Sequence, residues 1–344
     1  MYDKYLAELV NDNQIPGGVL TVSKNGELVF LKSYGSYENN KNKQISITDG
    51  TIFDLASLTK VMVTLPSILY LYQMNELDLQ DSVQTYLPQL RYPEITIKHL
   101  LQHTSGLPAD LPNMERSAKK DILSEINQIK MINKPGIEVL YSDLGMILLG
   151  EIIEKITGMR LNAFVEQMIY IPWKLQNTKF LPKNENIDRI AATEFYKDRF
   201  IHGEVHDEKA FLLGGISGSA GLFSTANDVM KFANYWLYPE TQSVIVPELM
   251  YLVNKNIVKN RGLAFQVKGD SNANLSCGRL WPIGSIGHTG FTGTSLWIDP
   301  HNKLSVVFLT NVVHVGRKHS LPLIREKLHT LIFKEEVMNK SNMA

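Results

Sequence analysis

Cysteine is nearly absent from this chain of 344 residues. The single cysteine, Cys277, excludes an internal disulfide framework, and no histidine pattern near it indicates a thiol nucleophile. An excess of charge of either sign is also lacking, because 35 Lys and Arg residues balance 35 Asp and Glu residues. A nucleic-acid-binding surface needs a basic excess or a basic stripe. We therefore expect no nucleic-acid partner.

Long apolar runs are missing as well. None reaches the ~18 residues that a helix needs to span a bilayer, so we predict no transmembrane segment. The first residues, Met1 to Tyr5, lack a basic region followed by an apolar one, which predicts that no signal peptide is present. These absences favour a cytoplasmic protein; a mature extracellular form whose leader has been removed has the same pattern. The sequence does not define the oligomeric state.

Strand patterns lie at both ends of the chain. An amphipathic helix is predicted over residues 1–12, followed by strands at 19–23 and 27–31 that an Asn25-Gly26 turn joins into a hairpin. The C-terminal part predicts further strands and a final helix, at 263–267, 285–288, 294–298, 304–309 and 319–334.

Helical patterns dominate the middle of the chain. They lie at 56–75, with a kink or a local break expected at Pro66, and at 96–103, 120–131, 144–157 and 225–237. We therefore predict an α+β fold in which strands from both termini form one antiparallel sheet, flanked by helices, with an inserted all-helical lobe. The sheet domain would comprise residues 1–75 and 211–344, and the mostly helical lobe residues 76–210.

The most informative stretch places Ser57 and Lys60 three residues apart at the start of a predicted helix. Residues at i and i+3 share a helix face, so the lysine amine can hydrogen-bond the serine oxygen. A serine hydroxyl is a weak nucleophile until a nearby group takes its proton. Taken alone, this spacing is common and equally typical of ordinary first-turn residues. Its meaning depends on partners elsewhere in the chain.

Two later segments supply candidate partners. Tyr141 precedes an apolar helix and is a candidate base if a nearby lysine lowers its pKa, and Asp143 follows it in the first turn. His288, Thr289 and Gly290 end a predicted strand, where the glycine lets a substrate approach the main chain closely. The alternatives are a half-buried aromatic, a charge at a helix N-terminus, and strand residues without substrate contact.

The order and separation of these segments resemble the serine β-lactamase and penicillin-binding-protein superfamily, in its class C and family VIII-like esterase branch. The motifs Ser-x-x-Lys, Tyr-x-Asn and Lys-Thr-Gly of that superfamily fall on Ser57–Lys60, Tyr141–Asp143 and His288–Gly290. The resemblance covers residues 14–312. It implies a β-lactamase/transpeptidase-like fold, with the active site in the cleft between the sheet and the helical lobe.

The resemblance also implies roles for single residues. Ser57 would be acylated, with Lys60 and Tyr141 as the proton-transfer pair. The oxyanion hole would consist of the backbone N–H groups of Ser57 and Phe291. Neither a metal nor an organic cofactor is implied.

Two departures from the superfamily pattern bear on the substrate. Asp143 stands where asparagine is usual, and His288 stands where lysine is usual. Both changes move the formal charge of the cleft toward negative, by about two units near neutral pH. Since β-lactams and D-Ala-D-Ala termini carry a carboxylate, we expect a serine esterase of small acyl or D-aminoacyl esters, such as those on teichoic acids.

Other functions remain open at this stage. The motif order permits a D,D-carboxypeptidase of peptidoglycan peptides or a weak β-lactamase, that is, a penicillin-binding protein. A non-catalytic protein that binds cell-wall fragments is a further alternative. A different hydrolase fold is disfavoured, since no serine lies in a Gly-x-Ser-x-Gly pattern.

The histidine pairs of the chain have the i, i+4 spacing of some metal ligands. His99 and His103 form one pair and His202 and His206 the other, but neither has the Glu of His-Glu-x-x-His. We interpret all four as core or surface histidines, and we predict no metal site. The roles of His206 and its neighbour Asp207, near the predicted cleft, stay undecided.

Overall fold

Strands from both ends of the chain meet in one sheet. In the computed structural model, which describes residues 1–255 and 257–339, seven strands form an antiparallel sheet in the order β3-β2-β1-β12-β11-β10-β9. The strands are β1 (Gly17–Lys24), β2 (Glu27–Glu38), β3 (Gln44–Ser46), β4 (Phe53–Asp54), β5 (Lys179–Phe180), β6 (Phe195–Tyr196), β7 (Arg199–Phe200), β8 (Leu222–Ser224), β9 (Gln266–Val267), β10 (Ile286–Thr289), β11 (Ser295–Asp299) and β12 (Leu304–Leu309).

The centre of the sheet joins the two chain ends directly. Strand β1 pairs antiparallel with β12, with Val19 opposite Leu309. The predicted hairpin between β1 and β2 is present, and Asn25 and Gly26 have the positive φ angles of its turn, 55° and 82°. The strand predicted at 263–267 is wrong in its first half, because Ala264 adopts φ 57° and pairing begins only at β9.

Helices cover both faces of the sheet. They are α1 (Tyr2–Asn11), α2 (Leu65–Gln73), α3 (Ile97–Leu101), α4 (Ile122–Gln128), α5 (Asp143–Thr157), α6 (Leu161–Val165), α7 (Glu208–Leu212), α8 (Ala226–Leu237), α9 (Pro247–Met250) and α10 (Leu321–Phe333). Helix α8 packs on β1, β11 and β12. Helices α1 and α10 bury Leu6 and Leu328 with Trp297 in the separate core of the opposite face. These layers confirm the predicted fold class.

The middle of the chain carries α3 to α6 and three short strands that periodicity does not reveal. Two-residue strands leave no alternating pattern, so β5, β6 and β7 are absent from the prediction. Strand β5 pairs with β8, which in turn pairs with β4 in front of the nucleophile segment. The domain division at residues 75 and 210 stays a prediction, and its residues 256 and 340–344 lie outside the described part of the chain.

The segment that carries Ser57 is not the single helix predicted over 56–75. Pro66 has no N–H to donate to the carbonyl of Met62, four residues earlier. Instead, Tyr170 Oη donates to this carbonyl at 3.2 Å. The segment runs without interruption as a 3₁₀ turn (Ala56–Leu58), a π-helical turn (Lys60–Thr64) and α2, so the irregularity lies just before the proline.

Within residues 1–255 and 257–339, every helix is too short or too polar to cross a bilayer.

Candidate active site

A cavity of about 580 Å³ brings the separate sequence motifs together. All the predicted site residues except Lys60 line it; they are Ser57, Tyr141, Asp143, His288, Thr289, Gly290 and Phe291. Lys60 lies beneath the cavity, where its side chain is fully buried. The structure thus places the predicted residues in one site, whereas their chemical roles remain proposals.

Ser57 projects from a strained and tightly held turn. The preceding residue, Ala56, has φ 46°, in the left-handed region that costs non-glycine residues energy. The buried carboxylate of Asp54 accepts the N–H of Ala56 at 2.8 Å and the N–H of His206 at 2.7 Å. Asp54 therefore ties the nucleophile turn to the segment before α7.

Lys60 is surrounded by acceptors. Its Nζ lies 2.9 Å from Ser57 Oγ, 2.8 Å from the carbonyl oxygen of Ser219 and 2.8 Å from Asp143 Oδ1. Burial by itself would lower the pKa of Lys60, but the carboxylate of Asp143 and the phenol of Tyr141 outweigh it and raise the pKa above its usual value. Lys60 is therefore a cation at neutral pH.

Tyr141 lies between two cations. Its ring centroid is 5.2 Å from Lys60 Nζ and 5.0 Å from the guanidinium carbon of Arg261. His103, which the sequence analysis treats as a core histidine, packs on the same ring at 4.7 Å. Both cations stabilise negative charge that develops on the phenol oxygen when its proton is displaced.

His288 presents a hydrogen-bond acceptor to the cavity. Its Nδ1 lies 2.9 Å from the carbonyl oxygen of Thr289, and since a carbonyl only accepts, Nδ1 carries the proton. Its Nε2 is buried and has no hydrogen-bond partner among the described residues. Burial, Arg261, Lys60 and His103 hold the pKa of His288 well below its usual value. The imidazole is therefore neutral near neutral pH.

Asp143 is not a free negative charge. Its Oδ1 lies 2.8 Å from Lys60 Nζ and its Oδ2 lies 3.3 Å from Nζ of Lys209, a residue that no motif contains. Burial would raise the pKa of Asp143, but the two ammonium groups outweigh it and lower the pKa. Since Lys209 also contacts Asp110 and Asp207, it offsets the charge of Asp143 only in part. The expectation that Asp143 makes the cleft more negative stays a prediction.

Arg261 brings a second cation that the sequence analysis misses. Its Nη1 is buried and has no hydrogen-bond acceptor among the described residues. The carboxylates of the cavity, in contrast, all lie within ion-pair distance of a lysine or arginine; they are Asp110, Asp143, Asp207 and Glu208. Arg261 thus has a donor without an acceptor among the described residues, whereas the cavity carboxylates all have cationic partners.

The predicted oxyanion hole lies at the turn between β10 and β11. Phe291 is half-exposed there, and its N–H contacts no acceptor within the described residues. A Cβ on Gly290 would collide with Thr294 Oγ1 and the carbonyl of Leu55, so the site requires glycine. The buried Arg325 of α10 donates from Nη2 to the carbonyl oxygens of Gly290 at 2.7 Å and Thr294 at 2.8 Å. It thereby holds the turn in place.

The two residues whose roles the sequence leaves undecided both reach the cavity. The ring of His206 stacks on Phe291 with centroids 5.6 Å apart, and its Nε2 lies 3.0 Å from Glu194 Oε2. Asp207 caps α7 through the N–H of Ala210 and contacts Lys209 at 3.2 Å. His206 thus forms part of the wall beside the oxyanion turn, and Asp207 supports the segment that carries Lys209.

This serine–lysine–tyrosine cluster, at the edge of an antiparallel sheet covered by helices, defines the chain as a serine hydrolase of the Ser-x-x-Lys class. The comparisons with known proteins agree. The chain belongs to the β-lactamase family, whose model, described as Beta-lactamase, matches residues 2–329.

Known relatives and solved structures resemble nearly the whole chain. An Escherichia coli (strain K12) protein with the provisional name D-alanyl-D-alanine carboxypeptidase is 32% identical over 355 residues, which cover 91% of this chain and 82% of that protein. EstCE1, described as a hydrolase with promiscuous acyltransferase activity, has a TM-score of 0.78 at 22% identity and covers 95% of this chain and 97% of its own. A class C β-lactamase has a TM-score of 0.76 at 21% identity, with 96% of both chains covered. At these identities, the two structures support the fold alone.

Proposed function

We propose that the chain hydrolyses small acyl esters through an acyl-enzyme formed on Ser57. The observation that carries the proposal is the distance of 2.9 Å between Lys60 Nζ and Ser57 Oγ, at the floor of the cavity that Tyr141 lines. Because Lys60 is cationic and donates to Ser57 Oγ, it is not free to take the serine proton. Tyr141, whose ring centroid lies 5.2 Å from Lys60 Nζ and which lines the cavity, is the candidate base.

The proposed reaction has two stages. Ser57 Oγ attacks the ester carbonyl and passes its proton to the oxygen of Tyr141, which gives its own phenol proton to the departing alcohol oxygen, while the N–H groups of Ser57 and Phe291 bind the oxyanion. The alcohol leaves protonated, and the acyl group stays on Ser57. Water then attacks the acyl carbon and passes a proton to the oxygen of Tyr141, which returns its own proton to Ser57 Oγ as the acid is released.

The charges of the cavity favour a neutral acyl ester. A D-aminoacyl ester carries an ammonium group, which needs a carboxylate without a competing cation. Asp143 and Asp207 both lie against Lys209, and Glu208 lies against Arg317. The cavity charges therefore give no support to a preference for cationic esters, although the cavity volume of about 580 Å³ leaves room for a small acyl group of either kind.

A second candidate is a D,D-carboxypeptidase that removes D-alanine from peptidoglycan-like peptides. One specific observation favours it: the buried Nη1 of Arg261 has no acceptor within the described residues, although it lines the cavity beside Tyr141. A guanidinium binds a terminal carboxylate with good geometry. The provisional name of the E. coli relative is consistent with the same activity. Arg261 would then act where the superfamily motif places lysine and this chain has His288.

The test is hydrolysis of p-nitrophenyl acetate and butyrate, of an N-acyl-D-Ala-D-Ala peptide and of the β-lactam nitrocefin. Wild type, Ser57→Ala and the loop control Ser271→Ala should be compared, with intact-mass detection of the acyl-enzyme. We expect ester turnover that Ser57→Ala abolishes and Ser271→Ala retains, with nitrocefin barely hydrolysed. Release of D-alanine faster than ester turnover would favour the second candidate. Failure of both turnover and fluorophosphonate labelling at Ser57 would indicate a binding protein and refute the proposal.

A further inference from the structure

We propose that Lys209 is a positioning residue for the reaction at Ser57: it holds Asp143 ionised and directed at Lys60. The inference rests on the proposed function, because its effect is read through Ser57-dependent turnover. Lys209 lies on α7 and belongs to none of the recognised motifs.

Lys209 borders the cavity, but its ammonium group is occupied by carboxylates of the protein itself. Its Nζ lies 3.3 Å from Asp143 Oδ2, 2.9 Å from Asp110 Oδ1 and 3.2 Å from Asp207 Oδ2, and the side chain is 2% exposed. An ammonium group has three N–H donors, and three carboxylates surround this one. These carboxylates take up its donors, and Lys209 would act on the reaction through them.

Asp143 is the neighbour that connects Lys209 to the nucleophile. Its other oxygen lies 2.8 Å from Lys60 Nζ, which in turn donates to Ser57 Oγ at 2.9 Å. A chain of alternating charges thus runs from Lys209 through Asp143 to Lys60 and ends at the serine oxygen. The contact with Lys209 restrains the carboxylate of Asp143 from its far side and orients Oδ1 toward Lys60.

Loss of Lys209 would change the charge of Asp143. Asp143 and Asp207 are largely buried and share the Lys209 ammonium, and Asp110 contacts it from the exposed side. Burial raises the pKa of Asp207, and the nearby charge of Asp143 raises it further. Without the shared cation, the buried carboxylates repel each other and one of them takes up a proton at higher pH. Protonated Asp143 would no longer be a full counter-ion for Lys60.

The remaining charged groups at this site do not compensate for the loss. Lys60 is already bonded to Ser57 and Ser219, and Arg261 lies over the ring of Tyr141. Neither Arg261 nor Tyr141 contacts Asp143 within hydrogen-bonding distance in the structure described. The charge state of Asp143 thus depends on Lys60 and Lys209 together.

The first test is the pH profile of kcat/KM for p-nitrophenyl butyrate. The proposal requires Asp143 to be ionised, so kcat/KM should decrease at acid pH as Asp143 becomes protonated. This decrease is the acid limb of the profile. In Lys209→Met we expect this limb to move up by about one pH unit or more, and kcat to fall about tenfold to a hundredfold with KM little changed. Lys209→Arg should restore the position of the limb. The matched control is Lys231→Met, which removes an exposed lysine paired with the buried Asp228 on α8 and should leave the profile unchanged.

The second test is a double-mutant cycle. If Lys209 acts through Asp143, Lys209→Met should change kcat/KM by less than about twofold in an Asp143→Asn background. Additive effects, or an acid limb that does not move in Lys209→Met, would overturn the inference while leaving the proposed function intact. Absence of Ser57-dependent turnover in wild type would overturn both. If the methionine variant fails to show a cooperative melting transition, Lys209→Gln carries the same prediction, because it also removes the charge.

Discussion

Replacing Arg261 by methionine should remove the ability of the cavity to prefer a substrate with a carboxylate. The side chain lines the cavity with a buried Nη1 that lacks an acceptor among the described residues, 5.0 Å from the Tyr141 ring as measured to its guanidinium carbon. Methionine keeps much of the unbranched length and apolar contact but has no charge and no donor. The prediction therefore isolates the guanidinium group.

The magnitude follows from the bond that Arg261 would form. A hydrogen bond to a charged group contributes about 1.5 to 3 kcal/mol when it is buried. At about 1.4 kcal/mol for each factor of ten, the loss corresponds to about 10-fold to 150-fold in kcat/KM. A neutral substrate should lose less, because it forfeits only the contact between Arg261 and Tyr141.

The assay compares two esters that differ in one group. Phenyl acetate and 3-acetoxybenzoate release phenols of similar size, and only the second carries a carboxylate on its leaving group. The ratio of their kcat/KM values should fall in Arg261→Met and persist in the control Arg160→Met, which removes an exposed arginine paired with Glu154. An unchanged ratio in Arg261→Met would refute the assignment of an anion site and with it the structural support for a carboxypeptidase.

Three further predictions concern the supports of the site. Arg325→Met leaves the carbonyl of Gly290 without its buried donor, so kcat for p-nitrophenyl butyrate should fall about tenfold or more and the melting temperature should drop, with partial recovery in Arg325→Lys. Tyr170→Phe removes the donor to the carbonyl of Met62, and urea unfolding should show a loss of about 1 to 3 kcal/mol. Burial lowers the pKa of His329 to about 4. At pH values between the ordinary histidine pKa and about 4, His329 is therefore protonated in the unfolded chain but neutral in the folded chain. Stability should therefore fall as the pH drops through that window, and the fall should be smaller by about 2 to 3 kcal/mol in His329→Gln, measured by unfolding at neutral and acid pH.

The sheet was predictable from local signals, whereas the nucleophile segment was not. Asn25-Gly26 and the alternating runs beside it determine the hairpin of β1 and β2 locally. The 3₁₀, π and α pieces after Ala56 depend instead on Tyr170, which supplies a donor to the Met62 carbonyl that Pro66 cannot bond. No sequence pattern within the segment itself indicates that Tyr170 is its partner.

The same distinction applies to the site. Ser57, Lys60 and Tyr141 could be found because each belongs to a short motif with a recognisable chemical purpose. Lys209 and Arg261 carry no motif, and their contacts are with residues far away in the sequence. Their charge by itself did not identify Lys209 and Arg261, since any of the 35 Lys and Arg residues could have lain at the cavity before the fold was known.

The substrate argument therefore turns on charges that the motifs do not contain. The superfamily pattern compared at positions 143 and 288 suggests a cleft that has become more negative by about two charges. Lys209 lies against the carboxylate of Asp143, and Arg261 lies near the neutral His288, whose pKa its charge helps to lower. Arg261 thus brings a positive charge near the position of the absent motif lysine, whereas Lys209 is shared by Asp110, Asp143 and Asp207 and offsets the added carboxylate only in part. If Arg261→Met and Lys209→Met lowered only the stability of the protein and left its substrate preference unchanged, the two cations would have no role in substrate selection. The shape of the cavity would then have to determine which substrate binds.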